Sequence, residues 1–480
     1  MRKIKVCGAA FLLFAILLCI GASAVGNDAV CINKSCTVTR NGYKLGQLLD
    51  GSGYSRLPLT AGTELTVSCE KEIGGLYLEF CTEPGQWTLI ADGEERVCGR
   101  NGYLHEYVSG LSCHEMTLRF DSGELCDLYL LSPGDRPDWV QDWQPAWDRA
   151  DVLLLPTHSD DDELYFAGVI PWCLEQGARV QVAYLISHND DMERRNELLD
   201  GLWAAGLRNY PVLGEYNDLG HGQENQLRTY AVLEGKTWED FERRQVELYR
   251  RFQPQVVIAH AEDGEYGHGA HKLYHMIAVK TAEVSGDPSA YPESAEKYGV
   301  WTPPKVYAHN FPYNRIYLEL DSPLASYGGR TAFEVSREAF RLHVSQFYSF
   351  SGWLFSADTA AGLELYSPRE YGLYSSTVGE DSSRDSFFDN IVLYDVQEQQ
   401  EREADDARLE AWDNAAAAAE QAQQDVLQAH QEALNQQQIA SLELRLRQRR
   451  LIVAVFVLSC LAAACATWLI LDHKTHKKET

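Results

Sequence analysis

Positive charge is scarce in this chain. Against 70 Asp and Glu stand only 42 Lys and Arg, a formal net charge of −28, and no basic stretch interleaved with aromatics occurs that would follow a phosphate backbone. Nucleic acid is therefore excluded as an expected partner. Glycine and proline are absent from Val396 to the last apolar run. Without these breakers, and with five consecutive alanines at 415–419, residues 396–450 are expected to form a helical stalk. Leu427 and Leu434 stand one heptad apart with no sustained seam, so a coiled-coil dimer is open but a simple helix is the plainer reading. Charge is missing altogether from Leu451 to Leu471. At about 1.5 Å per residue that run can cross a bilayer core of about 30 Å, and it is expected to be a stop-transfer transmembrane helix.

The two ends fix the expected compartment. Arg2, Lys3 and Lys5 precede an apolar stretch from Val6 to Ile20, and Ala22-Ser23-Ala24 offers the small residues of a signal-peptidase site, so residues 1–24 read as a cleaved signal peptide. At the far end the tail 472–480 is basic, but Arg445, Arg447, Arg449 and Arg450 lie on the other flank. The positive-inside rule is thus nearly balanced, and the cleavable signal decides for an ectodomain outside the cell membrane and a cytoplasmic tail. Of twelve cysteines, Cys7 and Cys19 leave with the signal and Cys460 and Cys465 fall in the apolar run. Seven of the rest, Cys31, Cys36, Cys69, Cys81, Cys98, Cys113 and Cys126, crowd into the first part of the exported chain. Each is open to two readings there, a disulfide partner or a small buried hydrophobe.

Residues 25–135 read as all-β. Short runs such as Glu64 to Ser68, Gly75 to Phe80, Trp87 to Ile90, Met116 to Phe120 and Leu128 to Leu131 are separated by Gly, Pro, Asp and Asn clusters. A β-sandwich is the simplest architecture, similar in pattern to galactose-binding-like modules. Residues 136–150, with Pro137, Trp139, Trp143 and Pro145, read as a linker. From 151 to 395 strands and helices alternate: Val152 to Leu155, Arg179 to Ile186 and Gln255 to His260 as buried strands, Asp191 to Gly206 and Trp238 to Phe252 as helices. The expected fold class is α/β, a Rossmann-like, mostly parallel sheet flanked by helices. The stretch 320–395, rich in Tyr, Phe and Ser, has no clear periodicity and is expected to line or cover a site.

Chemistry concentrates where such a sheet binds ligands, at the carboxyl ends of its strands. After Val152 to Leu155 come His158-Ser159-Asp160-Asp161-Asp162-Glu163, and a buried helix is expected to follow at once from Leu164 to Ile170. Much later comes Glu265-Tyr266-Gly267-His268-Gly269-Ala270-His271. His158, Asp161 and His271 can offer two imidazoles and a carboxylate to a divalent metal while leaving a position open. Each motif alone has a plain counterpart. Carboxylates suit a solvated helix start, a lone His-x-x-His arises by coincidence, and His260 can be a satisfied core residue. It is their joint occurrence at strand ends of one alternating domain that points to a metal site.

These motifs resemble the PIG-L/LmbE family of zinc-dependent N-acetylglucosamine de-N-acetylases, whose pattern is His-Pro-Asp-Asp-Glu followed by His-x-x-His. The resemblance covers roughly residues 150 to 390. It implies Zn2+ bound by His158, Asp161 and His271, Asp160 as general base, and His268 with Tyr266 polarising the carbonyl. Arg194, in Arg194-Arg-Asn-Glu197-Leu198, is implied as a sugar contact, and Asp218 as a loop aspartate near the substrate. Three residues depart from the pattern: Ser159 for proline, Asp162 for glutamate, and Ala270 where some members carry an Asp that orients the first histidine, a task open here to Asp263 or Glu265. The expected function is an extracytoplasmic de-N-acetylase acting on an N-acetylated sugar of a surface glycan or glycolipid. The alternative, given the departures, is a membrane-anchored glycan-binding surface protein with a degenerate deacetylase domain.

Overall fold

The computed structural model describes residues 28–220 and 225–476; the expected signal peptide lies outside the described residues. The chain divides into two units, Met1–Gln397 and Glu398–Thr480.

The first unit holds two sheets. One is an eight-stranded antiparallel sheet built on two long strands, β4 (Thr63–Thr82) and β7 (His105–Phe120). They pair from Thr63↔Phe120 to Glu79↔His105, with irregularities between Ser68 and Gly75. Around them lie β1 (Cys36–Arg40), β2 (Tyr43–Lys44), β3 (Leu57–Leu59), β5 (Trp87–Ala91), β6 (Glu94–Cys98) and β8 (Gly123–Leu131). Along the first half of β4 burial alternates, with Thr63, Leu65, Val67 and Cys69 inside, as one core-facing side of a strand requires. Two disulfides, Cys36–Cys69 and Cys81–Cys126, tie β1 to β4 and β4 to β8. Cys98 and Cys113 are free and buried, and so serve as small hydrophobes.

The other sheet has six strands in the order β10-β9-β11-β12-β14-β13: β9 (Val152–Leu154), β10 (Val180–Val182), β11 (Val256–Ala259), β12 (Lys305–His309), β13 (Arg315–Tyr317) and β14 (Glu370–Ser376). The first four in that order pair in parallel, whereas β14 runs antiparallel to both β12 and β13. The expectation of a mostly parallel, Rossmann-like sheet is therefore corrected to a mixed sheet. Its antiparallel edge comes from the part of the chain that carries no readable period.

Successive residues of β9 enter opposite layers. Val152 and Leu154 join one buried cluster with Val180, Val182 and Ile258, while Leu153 and Leu155 join another with Val257, Ala259 and Val306. Full burial of each such side chain is worth about 1.5–3 kcal/mol, so both faces hold the strand that presents the site. The helices Glu193–Ala204, Trp238–Phe252 and Gly269–Val284 cover the sheet. The helix expected from Leu164 starts only at Val169. Residues 159–168 instead form successive tight turns that end at Gly168, whose φ of 85° interrupts the right-handed helix.

In the second unit the described residues continue the helix Tyr394–His476. Among the described residues this is the one helix long and apolar enough to cross a membrane.

Candidate metal centre and active site

The loop after β9 closes on its own aspartate. The backbone N–H of His158 donates to Asp161 Oδ2 at 2.7 Å, which folds the two side chains together locally. His271 arrives from the first turn of the helix Gly269–Val284. Its Nε2 lies 3.1 Å from His158 Nδ1 and 3.3 Å from Asp161 Oδ2, and His158 Nδ1 lies 3.3 Å from the same oxygen. Three donor atoms thus form a nearly equilateral triangle. Ligands about 2.0–2.1 Å from a tetrahedral zinc stand about 3.3–3.4 Å apart, so the spacing and the donor set both fit that ion. All three residues are buried, His271 fully.

Two neighbouring histidines complete rival groupings, His158 with His268 and His271, and Asp161 with His260 and His271. Hydrogen bonding decides between them. His260 Nε2 accepts the backbone N–H of Thr157 at 3.1 Å, so its lone pair is already engaged. His268 caps the helix, its Nδ1 accepting the N–H of Ala270 at 3.2 Å, which leaves the hydrogen of the neutral ring on Nε2. His260 is a core residue of the site's wall, and His268 is a donor.

The triangle lies at the base of a cavity of about 190 Å³. His158, Asp160, Asp161, Arg194, Asp218, Tyr266 and His268 all line it, and His271 sits beneath. Asp160 Oδ1 accepts from Arg194 Nη2 at 2.9 Å, and Arg194 Nε donates to Ser159 Oγ at 3.1 Å. Asp218 Oδ1 accepts from Gly220 N–H at 2.8 Å, and its Oδ2 stands 3.7 Å from His158 Nε2. Gln346 and Phe350 also line the cavity, from the helix Val344–Leu354; they fall in the stretch 320–395 expected to line or cover a site, although neither is singled out there. That helix is fastened by Glu197, which accepts from Ser345 N–H at 2.8 Å and from its hydroxyl at 2.5 Å. The Tyr, Phe and Ser content of that stretch is the sequence signal for it, and nothing in the spacing of residues 344–354 picks out the two individually.

Electrostatics separate the adjacent aspartates. Burial pushes both carboxyls up, but His271, His158 and His260 around Asp161 outweigh it and hold that carboxyl well below its ordinary range. For Asp160 burial wins over Arg194 and the group stays raised. Burial lowers His268 to about 2, helped by repulsion from His158 and His271. Burial also acts against charge on His271, but Asp161 and Glu265 overcome it and lift that ring to about 10. Glu265 accepts from His271 Nδ1 at 2.7 Å. The sequence offered it for His268; the ring it faces here is His271.

Residues 153–282 match the family model PIG-L, GlcNAc-PI de-N-acetylase. A 1D-myo-inositol 2-acetamido-2-deoxy-alpha-D-glucopyranoside deacetylase of Thermomonospora curvata is 35% identical over 188 residues, 33% of this chain and 62% of that protein. A mycothiol S-conjugate amidase of Streptomyces coelicolor is 29% identical over 185 residues, 32% of this chain and 62% of that protein. Of the deacetylases of Streptomyces avermitilis, Streptomyces scabiei and Catenulispora acidiphila the chain spans 61%, 56% and 54%. Among solved structures, the N,N'-diacetylchitobiose deacetylase of Pyrococcus horikoshii aligns with 48% of this chain and 86% of its own, at 15% identity and a TM-score of 0.34. With its two motifs inside the matched segment and meeting in one cavity, the α/β domain of this chain resembles the PIG-L/LmbE family of de-N-acetylases.

Proposed function

We propose that this chain is a zinc-dependent de-N-acetylase that hydrolyses the acetamide of an N-acetylated sugar in a surface glycan or glycolipid, held at the outer face of the cell membrane by residues 451–471. The observation that carries this reading is the triangle of His158 Nδ1, Asp161 Oδ2 and His271 Nε2, with Asp160 beside it on the cavity wall. Zinc bound by those three residues supplies Lewis acidity and brings the pKa of water to about 7.

The chain's own residues supply the proton transfers. Asp160, raised by burial and oriented by Arg194, takes a proton from the attacking water and returns it to the sugar nitrogen as the C–N bond breaks. Acetate and a free amine leave. Neutral His268, with its hydrogen on Nε2, and the Tyr266 hydroxyl donate to the oxygen that gains charge in the tetrahedral intermediate. Arg194 and Asp218 line the same cavity and are placed to meet sugar hydroxyls. A cavity of about 190 Å³ suits a single sugar unit, so the remainder of the substrate extends outside it.

The test is free-amine release by the full-length protein in detergent from a panel of N-acetylated glycans and glycolipids, with and without zinc, beside an Asp160→Asn control. Zinc-dependent release that vanishes in the control supports the reading. A folded protein that neither takes up zinc nor turns over anything in the panel moves the assignment to the glycan-binding scaffold, whereas zinc uptake without turnover refutes the sugars tried and not the metal site.

A further inference from the structure

Glu265 gathers an unusual number of hydrogen-bond donors for one buried carboxylate. Its side chain is fully buried. Oε2 faces His271 Nδ1 at 2.7 Å. Oε1 faces the backbone N–H of Ala261 at 2.9 Å, His309 Nδ1 at 2.9 Å and His260 Nδ1 at 3.2 Å. An ionised carboxylate offers about four acceptor positions and no hydrogen of its own. Every nitrogen that faces it must therefore bring the hydrogen.

For His271 that requirement fixes the ring. With a hydrogen held on Nδ1, the proton that a metal displaces is the one on Nε2, and the lone pair is freed on the atom that faces Asp161 and His158. For His260 it agrees with the other side of the ring, where Nε2 accepts from Thr157. His309, at the end of β12, is anchored by the carbonyl of Ser367, 2.9 Å from its Nε2. The backbone of Glu265 is left-handed, with φ of 57°. A non-glycine residue keeps that conformation only where its surroundings over-determine it, and here four donors do so.

We propose that Glu265 is the positioning residue of the metal centre. It holds His271 in the one tautomer that can ligate, and it ties that ring through His260 and His309 to β11 and β12. The inference rests on the metal-dependent reading above and adds the group that makes the site bind. Carboxylates behind metal-bound histidines typically contribute 10–100-fold in metal affinity.

The experiment is a cobalt titration of the metal-stripped, full-length protein in detergent, read by d–d absorbance, with zinc affinity measured by chelator competition. Glu265→Gln keeps the size but puts an N–H2 where two acceptor oxygens are needed. The expected result is a metal Kd weakened about 10–100-fold, loss of the His271 Nδ1–H correlation in a histidine 15N spectrum, and a cooperative melt retained in EDTA. An unchanged Kd in Glu265→Gln overturns the proposal and leaves the metal reading standing. A wild-type protein that takes up neither cobalt nor zinc overturns both. If Glu265→Gln does not fold, His309→Phe decides: it removes a donor to Glu265 without touching a ligand, and a Kd equal to wild type there also refutes the role.

Discussion

Replacing Glu163 by Gln should stabilise the protein by an amount that grows with pH. Glu163 is fully buried, and burial pushes its carboxyl from an ordinary 4.5 up to about 8. Between those values the unfolded chain has released the proton while the folded chain still holds it. The unfolded state then binds fewer protons, so stability falls as pH rises across the window 4.5 to 8 and is level on either side. Each pH unit inside the window is worth about 1.4 kcal/mol, which sets a ceiling of about 3 kcal/mol between pH 4.5 and 7. Gln keeps the volume and does not titrate. Asp162 is held well up by burial and by repulsion from Glu163, so removing the Glu163 charge relieves it too and acts in the same direction. The assay is thermal unfolding of wild type and Glu163→Gln in EDTA at pH 5, 6, 7 and 8, with metal removed so that it cannot contribute. The melting-temperature difference should increase steadily in favour of the variant. A difference that stays constant over this range, or that favours wild type at pH 8, refutes a proton held on Glu163.

Three further outcomes follow from the same geometry. Gly168→Ala should lower the melting temperature, because a Cβ at φ of 85° costs about 1–2 kcal/mol and would also lie 3.2 Å from Leu320 Cδ1 and 3.3 Å from the Ala332 carbonyl carbon; an unchanged melt contradicts it. Glu197→Ala leaves Ser345 without its acceptor, so the helix carrying Gln346 and Phe350 loosens and KM should rise more than kcat falls; equal effects on both argue against a substrate-side role. The acid limb of kcat/KM should follow Asp160, whose carboxyl is raised by burial and pulled down by Arg194. Activity is then lost as pH falls through that raised value, and Arg194→Gln should move the limb to higher pH, while a shift to lower pH in the pH-rate profile would refute the pairing.

The parts of the fold that were legible in the sequence are those with one strong periodic cause. Trp238–Phe252 begins at a Thr237/Asp240 capping box and keeps one apolar stripe, so both its ends are readable. The strands β9 and β11 are readable because burial on both faces leaves a continuous apolar run. The helix start at 164 was misread because the apolar residues Leu164, Tyr165 and Phe166 pack inward from consecutive turns, and Gly168 sets the true boundary. The antiparallel edge was hidden for a related reason: β13 is three residues long, too short to display alternation. At the site, His158, Asp160, Asp161 and His271 come from two short segments whose spacing is local. Gln346, Phe350 and the destination of Glu265 depend on how distant segments fold back, and no local pattern encodes that.

The helix Glu193–Ala204 explains how the antiparallel sheet bears on the chemistry. Glu193, Asn196 and Asp200 fall at i, i+3 and i+7 and so form one stripe. Glu193 pairs with Arg56 at 2.8 Å, Asn196 meets His105 Nε2 at 3.3 Å and Cys126 Sγ at 3.5 Å, and Asp200 accepts from Gln141 at 2.6 Å. Arg194 and Glu197 form the adjacent stripe, and these are the residues that hold Asp160 and Ser345. Arg195 adds an ion pair with Glu83, and Tyr210, just beyond, stacks on Tyr103 with centroids 4.1 Å apart. A helix gripped on one stripe cannot rotate without moving the next by the same angle. The eight-stranded sheet, with Cys126 of its Cys81–Cys126 bridge against Asn196, therefore packs on the same helix that carries Arg194 to the candidate site, and a shift of one side of that helix moves the other.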